Sequence, residues 1–250
     1  MILRSVTKHV RDQNWFAVGL DFLIVVVGVF IGIQVANWNE ARREQNLERS
    51  YLENLREDFR TSQSELETKA EALVEIIEAM RTLLEQDAES SRSVDELNDL
   101  FRRIQWMPTF NWTSRTYDNL IGAGELRLID DSEIANSLAF FDTRVRLIEM
   151  VQATHEQELV ETFQPWIIEN MDYVAVHHDR LDGEFTLPEP RNPDRIVELI
   201  DDREFRNVLV QKWMISVDLL DQNRGLQAQA SRLLELLGNE LGQADEAAAE

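Results

Sequence analysis

The sequence predicts an all-α protein in which a single transmembrane helix continues into an antiparallel bundle of long helices. Three observations carry this. The 24 residues Trp15–Trp38 form one apolar span with a tryptophan at each end. Downstream, apolar residues recur at alternating steps of three and four, the period of a helix with one buried face. Finally, no segment alternates with period two over the length of a strand.

The span WFAVGLDFLIVVVGVFIGIQVANW is about 36 Å long as a helix, enough to cross a hydrocarbon core of roughly 30 Å with some tilt. Trp15 and Trp38 stand where amphipathic rings favour the two interfaces. A cleaved signal peptide is the rival reading, but Ala36 follows Gln34 and Ala41 follows Asn39, so no small-x-small cleavage site closes the run. Within the span, Asp21, Val25, Gly28, Gly32 and Val35 or Ala36 fall on one face. Gly28 and Gly32 form a G-x-x-x-G, which lets two helix backbones approach closely. Asp21 on the same stripe needs a partner or water, unless it reaches back to the headgroups. With Gln34, the polar residue further along, these positions are the candidate membrane interface and oligomerisation surface.

Residues 1–14 are predicted to be a basic amphipathic segment in the headgroup region, with Arg4, Lys8 and Arg11 opposite Ile2, Leu3, Val6 and Val10. These basic residues favour a cytoplasmic N-terminus; Arg42, Arg43 and Arg49 beyond the span oppose it. Residues 39–241 form the predicted helical bundle domain. Its first helix runs unbroken from the span, with a stripe at Leu47, Tyr51, Leu55, Phe59, Ser62, Leu66, Ala70, Leu73, Ile77, Met80 and Leu84. Ser93 and Glu96 fit a capping box opening a short helix to about Met107. Pro108 forces an extended turn, and a helical turn at Tyr117–Ile121 stops at Gly122 and Gly124. One of Asp130, Asp131 and Ser132 caps the next long helix, whose stripe is Ile134, Leu138, Phe141, Val145, Ile148, Val151, His155, Leu159 and Phe163. Pro165 bends it, since Trp166, Ile167, Met171 and Val174 resume the pattern. A loop follows over 178–193, helix restarts at Asn192-Pro193, and a last long helix runs from Asp202 to about Leu241. Residues 242–250 are expected to fray.

A net charge of −22, with 47 acidic residues against 25 basic, excludes nucleic acid as a partner. There is no cysteine, so neither thiol chemistry nor a disulfide is open to the chain. The four histidines lack the Glu-x-x-His spacing of a di-iron bundle, which leaves no metal and no cofactor to assign. His155 lies on the apolar stripe and reads as a core histidine, and His177, His178 and Asp179 read as a surface loop. No phosphate loop, nucleophile elbow or zincin motif occurs, so the chain reads as no enzyme, with no catalytic residue. Arg102, Trp106, Trp112, Arg115 and Tyr117 are a candidate pocket for a small anion or a docking patch; the alternative is that the aromatic residues plug one end of the bundle.

DFLIVVVGVFIGIQVANWNEAR, followed by SYLENLREDF and the later block RTYDNLIGAGELRLIDD, resembles an uncharacterised bacterial family of single-span membrane proteins. Its members carry an acidic residue, a glycine-containing apolar span and a Gln-x-x-Asn-Trp-Asn-Glu signature, here Gln34, Asn37, Trp38, Asn39 and Glu40. The likeness runs the whole length of the chain. It implies no activity. Where members have Glu and a second Asn, this chain has Asp21 and Ala36.

Together these features describe an inner-membrane, single-pass protein with a cytoplasmic N-terminus and a large periplasmic domain. Its partners are the lipid bilayer and either further copies of itself or a partner membrane protein. The role expected is an interaction or assembly module; the alternative is a sensor or stator-like subunit using Asp21 for proton or signal transfer.

Overall fold

The computed structural model describes residues 15–86, 92–177 and 187–249. The basic segment 1–14, His178 and Asp179 lie outside the described residues, as does the side chain of Trp15. The chain divides into two compact units, Met1–Tyr51 and Leu52–Glu250. All regular structure among the described residues is helical.

Helix α1 spans Trp15–Leu84, 70 residues. No proline occurs in it and no glycine follows Gly32, so nothing removes a backbone donor or loosens the chain. From Leu52, itself buried, its buried side chains are Leu55, Phe59, Ser62, Leu66, Leu73, Ile76, Met80 and Leu83, with Ala79 buried beside Met80. These follow steps of three and four, the seam of a coiled coil. Leu47, expected on this stripe, is exposed, and Ile77 and Leu84 are only partly buried, flanking Ile76 and Leu83. The drift of a 3.6-residue helix against a 3.5-residue seam moves the interior by one position over several turns.

Helix α2 (Val94–Arg103) opens on the expected capping box: Ser93 N–H donates to Glu96 Oε2 at 2.8 Å, and Glu96 N–H donates to Ser93 Oγ at 3.3 Å. It ends earlier than Met107, with Ile104 as its C-cap. Helix α3 (Arg115–Gly122) is capped by Ser114, and Gly124 turns the chain at φ +68°, a left-handed conformation that costs glycine nothing. A 3-10 turn, Glu125–Leu128, leads to α4 (Ser132–Glu158). Asp131 is its cap, with Oδ1 accepting from Glu133 N–H at 2.6 Å and Ile134 N–H at 3.3 Å.

Helix α4 passes into a π turn, Leu159–Phe163, and then α5 (Gln164–Asn170). Pro165 explains the π turn. Its ring would clash with the carbonyl four residues back and it has no N–H to give it, so widening the preceding turn lets the helix continue. The pattern does not run on to Val174 in one helix: the backbone is extended at Met171. Asp172 then starts α6 (Tyr173–His177), its Oδ1 accepting from Val174 and Ala175 N–H. Helix α7 (Arg195–Leu199) begins after Asp194 rather than at Pro193. Helix α8 spans Arg203–Ala249, past Leu241 and through most of the segment expected to fray.

Within the unit Leu52–Glu250, cross-helix contacts fix the directions of the three long helices. Gln63 Nε2 donates to Ser231 Oγ at 2.8 Å, whereas Leu73 packs with Leu219 and Leu220, so α1 and α8 are antiparallel. Arg232 pairs with Glu133 at 2.6 Å and His155 with Asp218 at 3.5 Å, so α4 and α8 are antiparallel as well. Phe59 meets Phe141 edge-on at 4.9 Å and Val151 lies against the Leu73 cluster, so α1 runs parallel to α4. Helices α2, α5, α6 and α7 pack with Ile76–Leu83 of α1 and the start of α8. Their aromatic core stacks Trp166 on Phe205 at 5.5 Å, with Phe101 at 5.8 Å from Phe205.

Candidate functional site

The apolar part of α1 is long and apolar enough to cross a membrane. Every side chain from Leu20 to Leu47 is exposed, Phe22 by 71% and Phe30 by 60%. A Cβ placed on Gly28 or on Gly32 would meet nothing within 4 Å, so the helix surface there is bare. At ~100° per residue, Asp21, Val25, Gly28, Gly32 and Val35 stay within one narrow face, and the Asp21 carboxylate is exposed on it. Gln34 does not join them; it stands about 140° round the helix. Trp38 is 62% exposed and its ring carries the Arg42 guanidinium at 5.7 Å, a cation–π contact that binds a charge to an amphipathic ring.

The five residues expected to share a pocket do not come together. Trp112 and Tyr117 join an aromatic layer inside the bundle. Their rings lie 5.0 Å apart, and Trp112 meets Phe141 edge-on at 5.2 Å and Phe59 at 6.1 Å. Burial pushes the Tyr117 phenol above its ordinary range, and the Asp142 carboxylate adds to this. Arg115 is exposed at the start of α3. The strap from Met107 to Ser114 delivers this layer, held at two points. Gln152, buried on α4, accepts from Phe110 N–H at 2.8 Å and donates to Phe110 C=O at 2.9 Å. Ser114 Oγ donates to Asp58 of α1 at 2.7 Å while accepting from Tyr117 N–H at 3.0 Å.

Arg102 and Trp106 instead line a cleft of about 610 Å³ at the end of α2, closed on its far side by Gln164, Ile167 and Ile168 of α5 and by Tyr173 and His177 of α6. Arg103 and Gln105 complete it. Asp99, one turn back on α2, pairs with both guanidiniums: with Arg103 at 2.8 Å, and with Arg102. His177 Nε2 is 3.0 Å from Gln105 Oε1, and its ring meets Tyr173 edge-on at 4.5 Å. Trp106 and Tyr173 are each about half exposed, at 52% and 49%.

A second, small void of about 20 Å³ between α4 and α8 is flanked by His155 and Lys212. Lys212 is 4% exposed, and burial lowers its amine to about 8; the ammonium sits 5.0 Å over the Phe163 ring. His155 is half-buried as a core-edge residue, with Nδ1 buried and without a partner. Among the described residues no group of three His, Asp or Glu side chains converges as a metal site would require.

Sequence reasoning missed Gln152, Lys212 and the α6 side of the cleft. Strict alternation of three and four from Ile134 arrives at residue 152, and the same count from Phe205 arrives at 212, so the position was visible even though the residue type argued against it. Tyr173 and His177 gave no such signal, because the break at Met171 that turns α6 toward α2 has no glycine or proline to mark it.

A helical bundle whose first helix begins as an apolar stretch long and apolar enough to cross a membrane is the class this fold defines. Residues 21–148, just over half the chain, match a family described as "Family of unknown function (DUF6090)", and the chain belongs to it. The match begins at Asp21 and includes the block 115–131, but it stops short of the whole-length likeness read from the sequence. No curated protein and no solved structure matches the chain.

Proposed function

We propose that this protein is a membrane-anchored assembly module. It crosses the inner membrane once through Trp15–Trp38, with its N-terminus in the cytoplasm and the acidic bundle outside, and it self-associates through the Asp21–Gly28–Gly32 face. The observation that supports this best is the bare surface at Gly28 and Gly32 on an apolar helix of exposed side chains. In lipid there is no hydrophobic drive to pair helices, so association depends on backbones coming close enough for dispersion and polar contacts, which glycine permits. A second helix on that face also shelters the Asp21 carboxylate, whose exposure to hydrocarbon costs roughly 3 kcal/mol or more. The role is assembly rather than catalysis.

Asp21 also supports a second reading, a sensor or stator-like subunit in which this carboxylate passes a proton or signal to a partner membrane protein. Crosslinking in native membranes separates the two. Under the assembly reading, Gly28→Ile with Gly32→Ile abolishes self-crosslinking and Asp21→Asn leaves it intact. If the double glycine variant crosslinks as well as the parent, the stripe is no interface; if Asp21→Asn preserves assembly while abolishing the cellular phenotype, the proton-handling reading replaces it.

A further inference from the structure

We propose that the cleft between α2, α5 and α6 is a binding site for a small organic carboxylate with a flat apolar body, independent of the membrane stripe. The charge of its wall is the first argument. In a chain of net charge −22 no acidic side chain among the described residues lines this cleft, whereas Arg102 and Arg103 do. Both guanidiniums share the single carboxylate of Asp99, which leaves one positive charge in excess and several N–H donors for a second anion. The shape is the second argument. About 610 Å³ falls within the range of small-molecule sites. The lining is mixed rather than wholly polar: half-exposed Trp106 follows the arginines, and exposed Ile168 and Tyr173 with buried Ile167 stand on the far side beside Gln164 and His177. Exposed aromatic and aliphatic side chains on both sides of a cleft match a ring inserted between them. The third argument is Gln105. Its amide meets His177 through one atom only, and the other, buried, has no partner. Whichever way the amide is turned, the cleft wall keeps one unmet hydrogen-bonding group, as binding sites do and cores avoid.

The test uses the full chain in detergent micelles and equilibrium dialysis, with protein-free micelles subtracted. The probes are 1-naphthoate and its neutral counterpart 1-naphthalenemethanol. The parent is expected to retain naphthoate about tenfold more tightly than the alcohol, the magnitude of one hydrogen-bonded charge contact. Arg102→Gln with Arg103→Gln should erase that preference and leave the alcohol bound as before. Trp106→Ala should weaken both probes. Ile168→Glu, at a position 70% exposed and so harmless to the fold, should repel naphthoate selectively; it keeps the test decisive if the double arginine variant misfolds. Equal binding of the two probes by the parent, binding of neither above the micelle blank, or a naphthoate preference that survives Ile168→Glu overturns the proposal.

Discussion

Replacing Gln152 by leucine isolates what holds the strap against the bundle. Gln152 is 6% exposed and Phe110 is 1% exposed, so the two hydrogen bonds between them, at 2.8 and 2.9 Å, are out of reach of water. Leucine fills nearly the same volume, and its apolar surface is suited to the site. The Phe110 N–H and C=O, however, are then both buried without a partner, and each such group costs about 1–3 kcal/mol. Subtracting a gain of about 1 kcal/mol from burying a methyl-rich side chain leaves an expected loss of about 1–5 kcal/mol. Guanidinium unfolding of the full chain in micelles, followed by tryptophan emission and far-UV circular dichroism together, measures it. Gln157→Leu on the exposed side of the same helix controls for helix propensity and should stay within about 0.5 kcal/mol of the parent. A Gln152→Leu loss below about 1 kcal/mol refutes the reasoning, because it would mean that the strap's backbone groups reach other partners at no cost.

Lys212 gives a pH-dependent expectation. Burial lowers its amine from 10.5 to about 8, so between those values the unfolded chain binds more protons than the folded one and stability rises with pH across that window. Lys212→Met is expected to flatten this rise and to stabilise the bundle at pH 7 by up to about 3 kcal/mol; an unchanged slope in denaturation midpoints between pH 8 and 10.5 contradicts this. Asp172 acts in the opposite range. Its Oδ2 accepts from Asn192 N–H at 2.6 Å and Arg191 N–H at 2.8 Å, and these bonds, Asn192 foremost, hold its carboxylate below the ordinary 3.8. Its contribution is therefore complete above that pH and lost as pH falls through the lowered value, and Asp172→Ala should accelerate hydrogen exchange at the Arg191 and Asn192 amides at neutral pH; unchanged exchange there refutes the clamp. For topology, a periplasm-active reporter fused after Glu250 should be active and a cytoplasmic one silent, and the reverse pattern would place the bundle inside the cell.

The helical class and the three long helices were legible because their signals are local. Ser93 and Glu96 sit at cap spacing, Asp131 precedes a long apolar stripe, and Gly124 stands where a left-handed turn is needed. The buried polar residues were not legible, because Gln152, Lys212, Ser216 and Asn223 occupy seam positions that hydrophobic pattern alone assigns to apolar residues. What makes Gln152 acceptable is the backbone of Phe110, 42 residues away, and no local rule reports that contact. The candidate pocket was half legible for the same reason. Arg102 and Trp106 lie on one side of Pro108, and Trp112, Arg115 and Tyr117 on the other; only the path of the strap decides that Trp112 and Tyr117 enter the bundle while Arg102 and Trp106 line the cleft.

The π turn before Pro165 ties two sequence features together that are usually free to change separately. An ordinary α-helix has no room for the additional residue that Leu159–Phe163 accommodates, and the proline is what makes the wider turn worth keeping. Upstream, Ile148 and Gln152 follow the coiled-coil seam; downstream, Trp166 and Ile167 face the aromatic core around Phe205. Both phases are satisfied only with the extra residue in place. Loss of Pro165 alone would let regular bonding resume and rotate one segment out of phase with the other by about 100°. Replacing Pro165 and deleting one residue between Gln152 and Trp166 together is therefore expected to cost the bundle less than either change alone.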